Sequence, residues 1–91
     1  MVLAICIDFF QVRECLEDDI GLSYRGKVNI TESGITCQDW SSQSLQNHDY
    51  RVIVYSYNYC RNLELDVLKP WCYTIDKYVR WQYCDIPLCG K

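Results

Sequence analysis

The stretch PWCYTIDKYVRWQYCDIPLC, residues 70–89, decides how this chain is read. It holds three cysteines, Cys72, Cys84 and Cys89, among five aromatic rings, and the rings and β-branched residues crowd together from Tyr78 to Tyr83. Such a run reads as a short strand, and Arg51 to Tyr55 reads the same way. Polar turn clusters at Thr31 to Gly34 and Ser41 to Asn47 separate the runs. Apolar residues do not recur at helical spacing over any long window, so the expected architecture is mostly irregular loop with a few short antiparallel strands.

Seven cysteines in 91 residues, with 14% aromatic content and only four glycines and two prolines, fit a disulfide-rich scaffold from an oxidising, extracellular compartment. A core of this size contributes only about 3–5 kcal/mol, so covalent staples are expected. Zinc sites are built from short Cys pairs with histidines at matching offsets. Here Cys84 and Cys89 are the closest pair and His48 is the only histidine, which favours disulfides and predicts no metal and no cofactor. Six of the seven cysteines already permit many pairings, and spacing does not choose among them.

A formal charge of −3 and a pI near 4.9 leave no basic field for nucleic acid. No stretch reaches the ~18 apolar residues of a membrane span. With one histidine beside Asn47 and no nucleophile elbow, phosphate loop or metal helix, this segment is expected to be a binding module and not an enzyme. His48 reads as a surface or core-rim residue, and Glu17, Asp18 and Asp19 as a solvated loop. The start, residues 1–14, lacks a basic n-region and a small-residue cleavage site, and Asp8 interrupts its apolar run. It reads as a leader outside the domain, and Phe9, Phe10 and Gln11 raise the idea of a translated intron end in a faulty gene model. Residues 90–91 form a tail. Asn29, Ile30 and Thr31 make a glycosylation sequon ahead of a turn, which is glycosylated if exposed during secretion.

Several segments, taken in order, resemble the kringle family. They are YRG at 24–26, SG at 33–34, CQDW at 37–40, NYCRN at 58–62, PWCYT at 70–74 and RWQYCDIPLC at 80–89. The resemblance runs from Cys15 to Cys89 and implies a small disulfide-rich fold with Cys15 joined to Cys89, Cys37 to Cys72, and Cys60 to Cys84. Cys6 falls outside this set. The chain departs from the family pattern at Leu63, where kringles usually carry Pro, and at Lys69, where they carry Gly. Its stretch from Cys37 to Cys60 is several residues short, so contacts from Asp49 to Tyr57 are not carried over.

Lysine-binding kringles hold an ammonium with an acidic pair, cradle its methylene chain between rings, and hold its carboxylate with a basic residue. The resemblance puts Glu64 and Asp66 at the acidic positions, Trp71, Tyr73, Trp81 and Tyr83 at or beside the aromatic ones, and Arg80 at the cationic one. Such a site suits a zwitterion of fixed length, because each charge is paired while the apolar stem leaves water. Glu64 is a methylene longer than the usual Asp, and Lys69 is close enough in sequence to offset part of the anionic pole. Expected partners are proteins displaying lysine side chains or C-terminal lysines, with the oligomeric state left open. The alternative is a receptor-ectodomain kringle, Ror- or Kremen-like, that binds a protein surface without a lysine pocket.

Overall fold

The computed structural model describes residues 13–50, 56–63 and 67–90. Cys6, the strand expected over Arg51 to Tyr55, and the carboxylates Glu64 and Asp66 lie outside the described residues. Within them, one antiparallel hairpin organises the chain: β1 (Trp71–Tyr73) pairs with β2 (Trp81–Tyr83), with Trp71 opposite Tyr83, Cys72 opposite Gln82 and Tyr73 opposite Trp81. Side chains alternate along a strand and direct cross-strand partners share a face. Trp71, Tyr73, Trp81 and Tyr83 therefore share one side of the hairpin. The run expected as a strand from Tyr78 becomes one only at Trp81, because Asp76 bends the chain first. Its carboxylate accepts from the Tyr78 N–H at 2.8 Å and its carbonyl from the Val79 N–H at 3.0 Å. Fully buried Thr74 closes the same turn, its hydroxyl bonded to the Val79 carbonyl.

Isolated bridges tie this hairpin to the rest: Arg61 to Trp71, Cys37 to Thr74, and Leu16 in parallel to Leu88. The segment NYCRN works as scaffold. Asn58 donates its amide to the Cys37 carbonyl, and Asn62 donates to the carbonyls of Ile20 (2.6 Å) and Val67 (3.3 Å). The buried Arg61 guanidinium donates to the carbonyls of Gly26 (2.8 Å) and Cys60 (2.7 Å) and lies over the rings of Tyr24 and Tyr59. Carbonyl dipoles and ring faces thus stand in for a counter-ion.

Three disulfides join Cys15 to Cys89, Cys37 to Cys72, and Cys60 to Cys84, the pairing the kringle resemblance implies. The last two lie side by side, with the Sγ atoms of all four cysteines within 4.8 Å of one another. Around them pack Trp40, Trp71, Tyr73, Tyr24, Leu16 and Ile86. Trp40 is 1% exposed, and its indole N–H donates to the Tyr59 carbonyl at 2.6 Å. The core is thus sulfur and aromatic ring more than aliphatic chain. Gly21 sits at φ +73°, and a Cβ there would lie 2.7 Å from the Pro70 ring, so the close approach needs glycine.

The polar stretches resolve as turns. Gly34 donates to the Thr31 carbonyl at 2.8 Å between the bridged pair Ile30 and Thr36. Gln38 is buried and shapes the loop from 41 to 47: its amide donates to the carbonyls of Ser42 and Gln46 while its oxygen accepts the Gln46 N–H. In the acidic cluster, Glu17 forms an exposed pair with Arg13, whereas Asp18 caps a turn. The N–H groups of Leu22 and Ser23 and the Ser23 hydroxyl donate to its carboxylate, and the Leu22 bond most of all holds it below the usual carboxylate range. At the sequon, Asn29 is half-buried and Thr31 buried, with the Thr31 hydroxyl accepting the Ile35 N–H at 3.1 Å.

Glu14 accepts a 2.6 Å hydrogen bond from the Tyr24 hydroxyl and also receives the Lys27 N–H. Burial, and then this bond to a carboxylate, push the Tyr24 phenol up to about 12 from an ordinary value of 10. The folded state therefore holds this proton more tightly than the unfolded chain does. Tyr24 contributes stability in full below pH 10 and loses it as the pH rises to 12. Urea melts at pH 8 and pH 11 should show the midpoint falling with pH in the native sequence and falling distinctly less in Tyr24→Phe. Equal alkaline losses in both proteins would remove Tyr24 as the cause.

Candidate functional site

The aromatic face of the hairpin opens on a cleft of about 260 Å³ lined by Tyr50, Val67, Trp71, Tyr73, Arg80 and Trp81. Its back wall belongs to the core. Trp71 is 5% exposed and meets Trp40, Tyr73 and Trp81 edge-on at 5.2, 5.1 and 5.8 Å. Backbone bonds to Arg61 on one side and β2 on the other hold its strand in place. The buried indole N–H of Trp71 has no acceptor among the described residues, so ring packing and not a polar anchor sets its orientation. Trp81 differs, being 44% exposed, and presents its ring to the cleft from the rim.

Among the described residues that line the cleft, Arg80 carries the charge. Its guanidinium lies 4.9 Å from the Tyr73 ring centre, and its Nη2 donates to the Asn47 carbonyl at 2.8 Å. Exposed arginines ordinarily sample many rotamers, but stacking and a backbone acceptor hold this one in place. Below Tyr73 lies His48, its imidazole stacked at 4.9 Å and 9°. The Nδ1 atom of His48 accepts the Tyr50 N–H at 3.0 Å, so Nε2 carries the proton and donates to the Ser42 carbonyl at 3.1 Å. His48 is 9% exposed, a core-rim residue that fixes Tyr50 and Tyr73 and offers no free nitrogen.

Four of the residues singled out from sequence, Trp71, Tyr73, Arg80 and Trp81, thus meet around one cleft. Tyr83 is not among its lining residues. It packs edge-on to Trp81 at 5.2 Å, and its hydroxyl accepts from the Leu68 N–H at 3.5 Å. Lys69 points its ammonium toward Glu32, 3.8 Å away, and over the Tyr83 ring, which provides a counter-ion other than the acidic pair. Residues 64–66 lie outside the described residues, but Val67, next in the chain, lines the cleft. Sequence reasoning missed Val67, an apolar residue with no motif to mark it, and Tyr50, which falls in the shortened stretch from which nothing was carried over.

The four inner cysteines stand as close as the ligands of a metal would, but a disulfide sulfur has no thiolate charge to give to an ion. No helix among the described residues is long and apolar enough to cross a membrane. Compared with known families, residues 15–89 match the family model described as the kringle domain. That match includes all six disulfide-bonded cysteines and both strands of the hairpin. Kringles are non-catalytic, disulfide-bonded modules, typically extracellular, that mediate protein–protein binding. The chain belongs to the kringle family.

Proposed function

We propose that this kringle binds lysine side chains of partner proteins, including C-terminal lysines, through the aromatic cleft, and that it does so as part of a secreted or receptor-ectodomain protein. The carrying observation is the pairing of an apolar, ring-lined cleft with a preorganised guanidinium at its wall. A methylene chain desolvates against Trp71 and Trp81, and a carboxylate or carbonyl at its end meets Arg80 in a charge-assisted bond. Glu64 and Asp66, just before Val67 in the chain, supply the carboxylates for the ammonium in this reading. Neither pole needs proton transfer or a metal, so binding is reversible and electrostatically screened by salt.

Titration with 6-aminohexanoate, followed by tryptophan fluorescence, tests the proposal. A saturable change is expected by millimolar ligand, where a site of about −4.1 kcal/mol is half filled. Charge-assisted bonds contribute about 1–3 kcal/mol each, so Asp66→Asn should weaken binding roughly ten- to a hundredfold without moving the thermal midpoint. Arg80→Ala should weaken 6-aminohexanoate more than a capped lysine that lacks the free carboxylate. A flat titration in the native protein overturns the lysine reading and leaves the receptor-type alternative, recognition of a protein surface without a lysine pocket.

A further inference from the structure

We propose that a second, polar cleft that shares Arg80 with the first takes the main chain that follows a bound lysine, so that the module engages lysines inside a polypeptide. The inference rests on the lysine reading of the aromatic cleft and extends it. The second cleft, of about 340 Å³, is lined by Gln43, Asn47, His48, Asp49 and Arg80. Arg80 therefore lines both cavities, and its bond to the Asn47 carbonyl ties it to the second.

The chemistry of the ligand gives the two clefts an order. In the lysine reading Arg80 meets the carboxylate end of the ligand, so the carbonyl carbon of a lysine comes to Arg80. In a free amino acid that carbon belongs to the carboxylate, and in a polypeptide it belongs to the next peptide group. The chain that continues from it starts beside Arg80, which also lines the polar cleft. A peptide group offers one N–H donor and one C=O acceptor. Facing it are the exposed carboxylate of Asp49, which accepts, and the Gln43 amide, whose oxygen already receives the His48 N–H at 2.7 Å and whose nitrogen is left to donate. Both ring nitrogens of His48 are engaged by Ser42 and Tyr50, so His48 forms the floor of the cleft. An aromatic slot and a mixed donor and acceptor slot that share one fixed cation match a lysine side chain followed by backbone.

Isothermal titration with four ligands tests this. They are 6-aminohexanoate, lysine capped at both ends, the capped lysine extended by two glycines on its C-terminal side, and the same extended on its N-terminal side. The C-terminal extension is expected to tighten binding at least about fivefold over the capped lysine, a gain of about 1 kcal/mol, while the N-terminal extension gains nothing. Asp49→Ala should abolish that gain and leave 6-aminohexanoate affinity within about twofold of native. Equal affinity for extended and unextended ligands, in a protein that binds 6-aminohexanoate, overturns the second cleft alone. A gain that survives Asp49→Ala places the extension elsewhere and overturns it too. Failure of 6-aminohexanoate itself removes the lysine reading and this inference together.

Discussion

Reducing the three disulfides without any denaturant is expected to unfold the domain. The closed loops span 74, 35 and 24 residues, and in the chain-entropy model each restricts the unfolded state by about 3–5 kcal/mol. Together they rival the whole stability of a typical small domain, about 5–15 kcal/mol. Little regular structure stands behind them, since the described residues contain only one hairpin of two three-residue strands. Near-ultraviolet circular dichroism reports the packed rings, and its signal should vanish on treatment with a phosphine reductant. Removing the Cys60–Cys84 disulfide alone, with both residues replaced by Ala, should already cost about 2–5 kcal/mol, read as a shift in urea midpoint. A near-ultraviolet signal that persists after full reduction would mean that the ring cluster stands without its staples.

A second large effect separates two tryptophans 41 positions apart in sequence. Trp40→Ala is expected to cost about 3–5 kcal/mol, because a fully buried indole leaves a cavity. It also strands the part-buried Tyr59 carbonyl, which loses the indole N–H as its donor. Rings that meet Trp40 edge-on, those of Trp71, Tyr73, Tyr50 and His48, lose a common neighbour, so the cleft should go with the fold. Trp81→Ala removes a ring that is 44% exposed, and its urea midpoint should stay near native. Affinity for 6-aminohexanoate should nonetheless fall at least tenfold, since the outer wall of the cleft is gone. A Trp81 variant that unfolds, or one that binds at full strength, would end the division of labour drawn between the two rings.

Much of the fold was legible because cysteine order and the PWCYT, NYCRN and RWQYC segments are covalently and sterically constrained. The disulfide pairing was implied by family resemblance, not by spacing. What escaped was decided by tertiary context. β1 passes unremarked in sequence, since Trp71-Cys72-Tyr73 is too short to show a period, and it is a strand only because Arg61 and Tyr83 supply partners on both sides. β2 was expected to start at Tyr78 and begins at Trp81, because a local side-chain bond from Asp76 outcompeted strand propensity. At the cleft, Trp71, Tyr73, Trp81 and Arg80 were visible from their motifs, and Tyr83, expected at or beside the aromatic positions, packs edge-on to Trp81 with Lys69 over its ring. Tyr50 was invisible, because its place depends on a hydrogen bond to an imidazole two residues earlier.

The clasp formed by Cys15 and Cys89, whose Cα atoms are 4.9 Å apart beside the paired residues Leu16 and Leu88, has an architectural meaning. Any polypeptide attached on the two sides would enter and leave at one point, so the module would hang from such a chain like a pendant. Its insertion hardly changes the distance between whatever flanks it. A pull applied at its two ends would load one covalent clasp and leave the aromatic cleft unstretched.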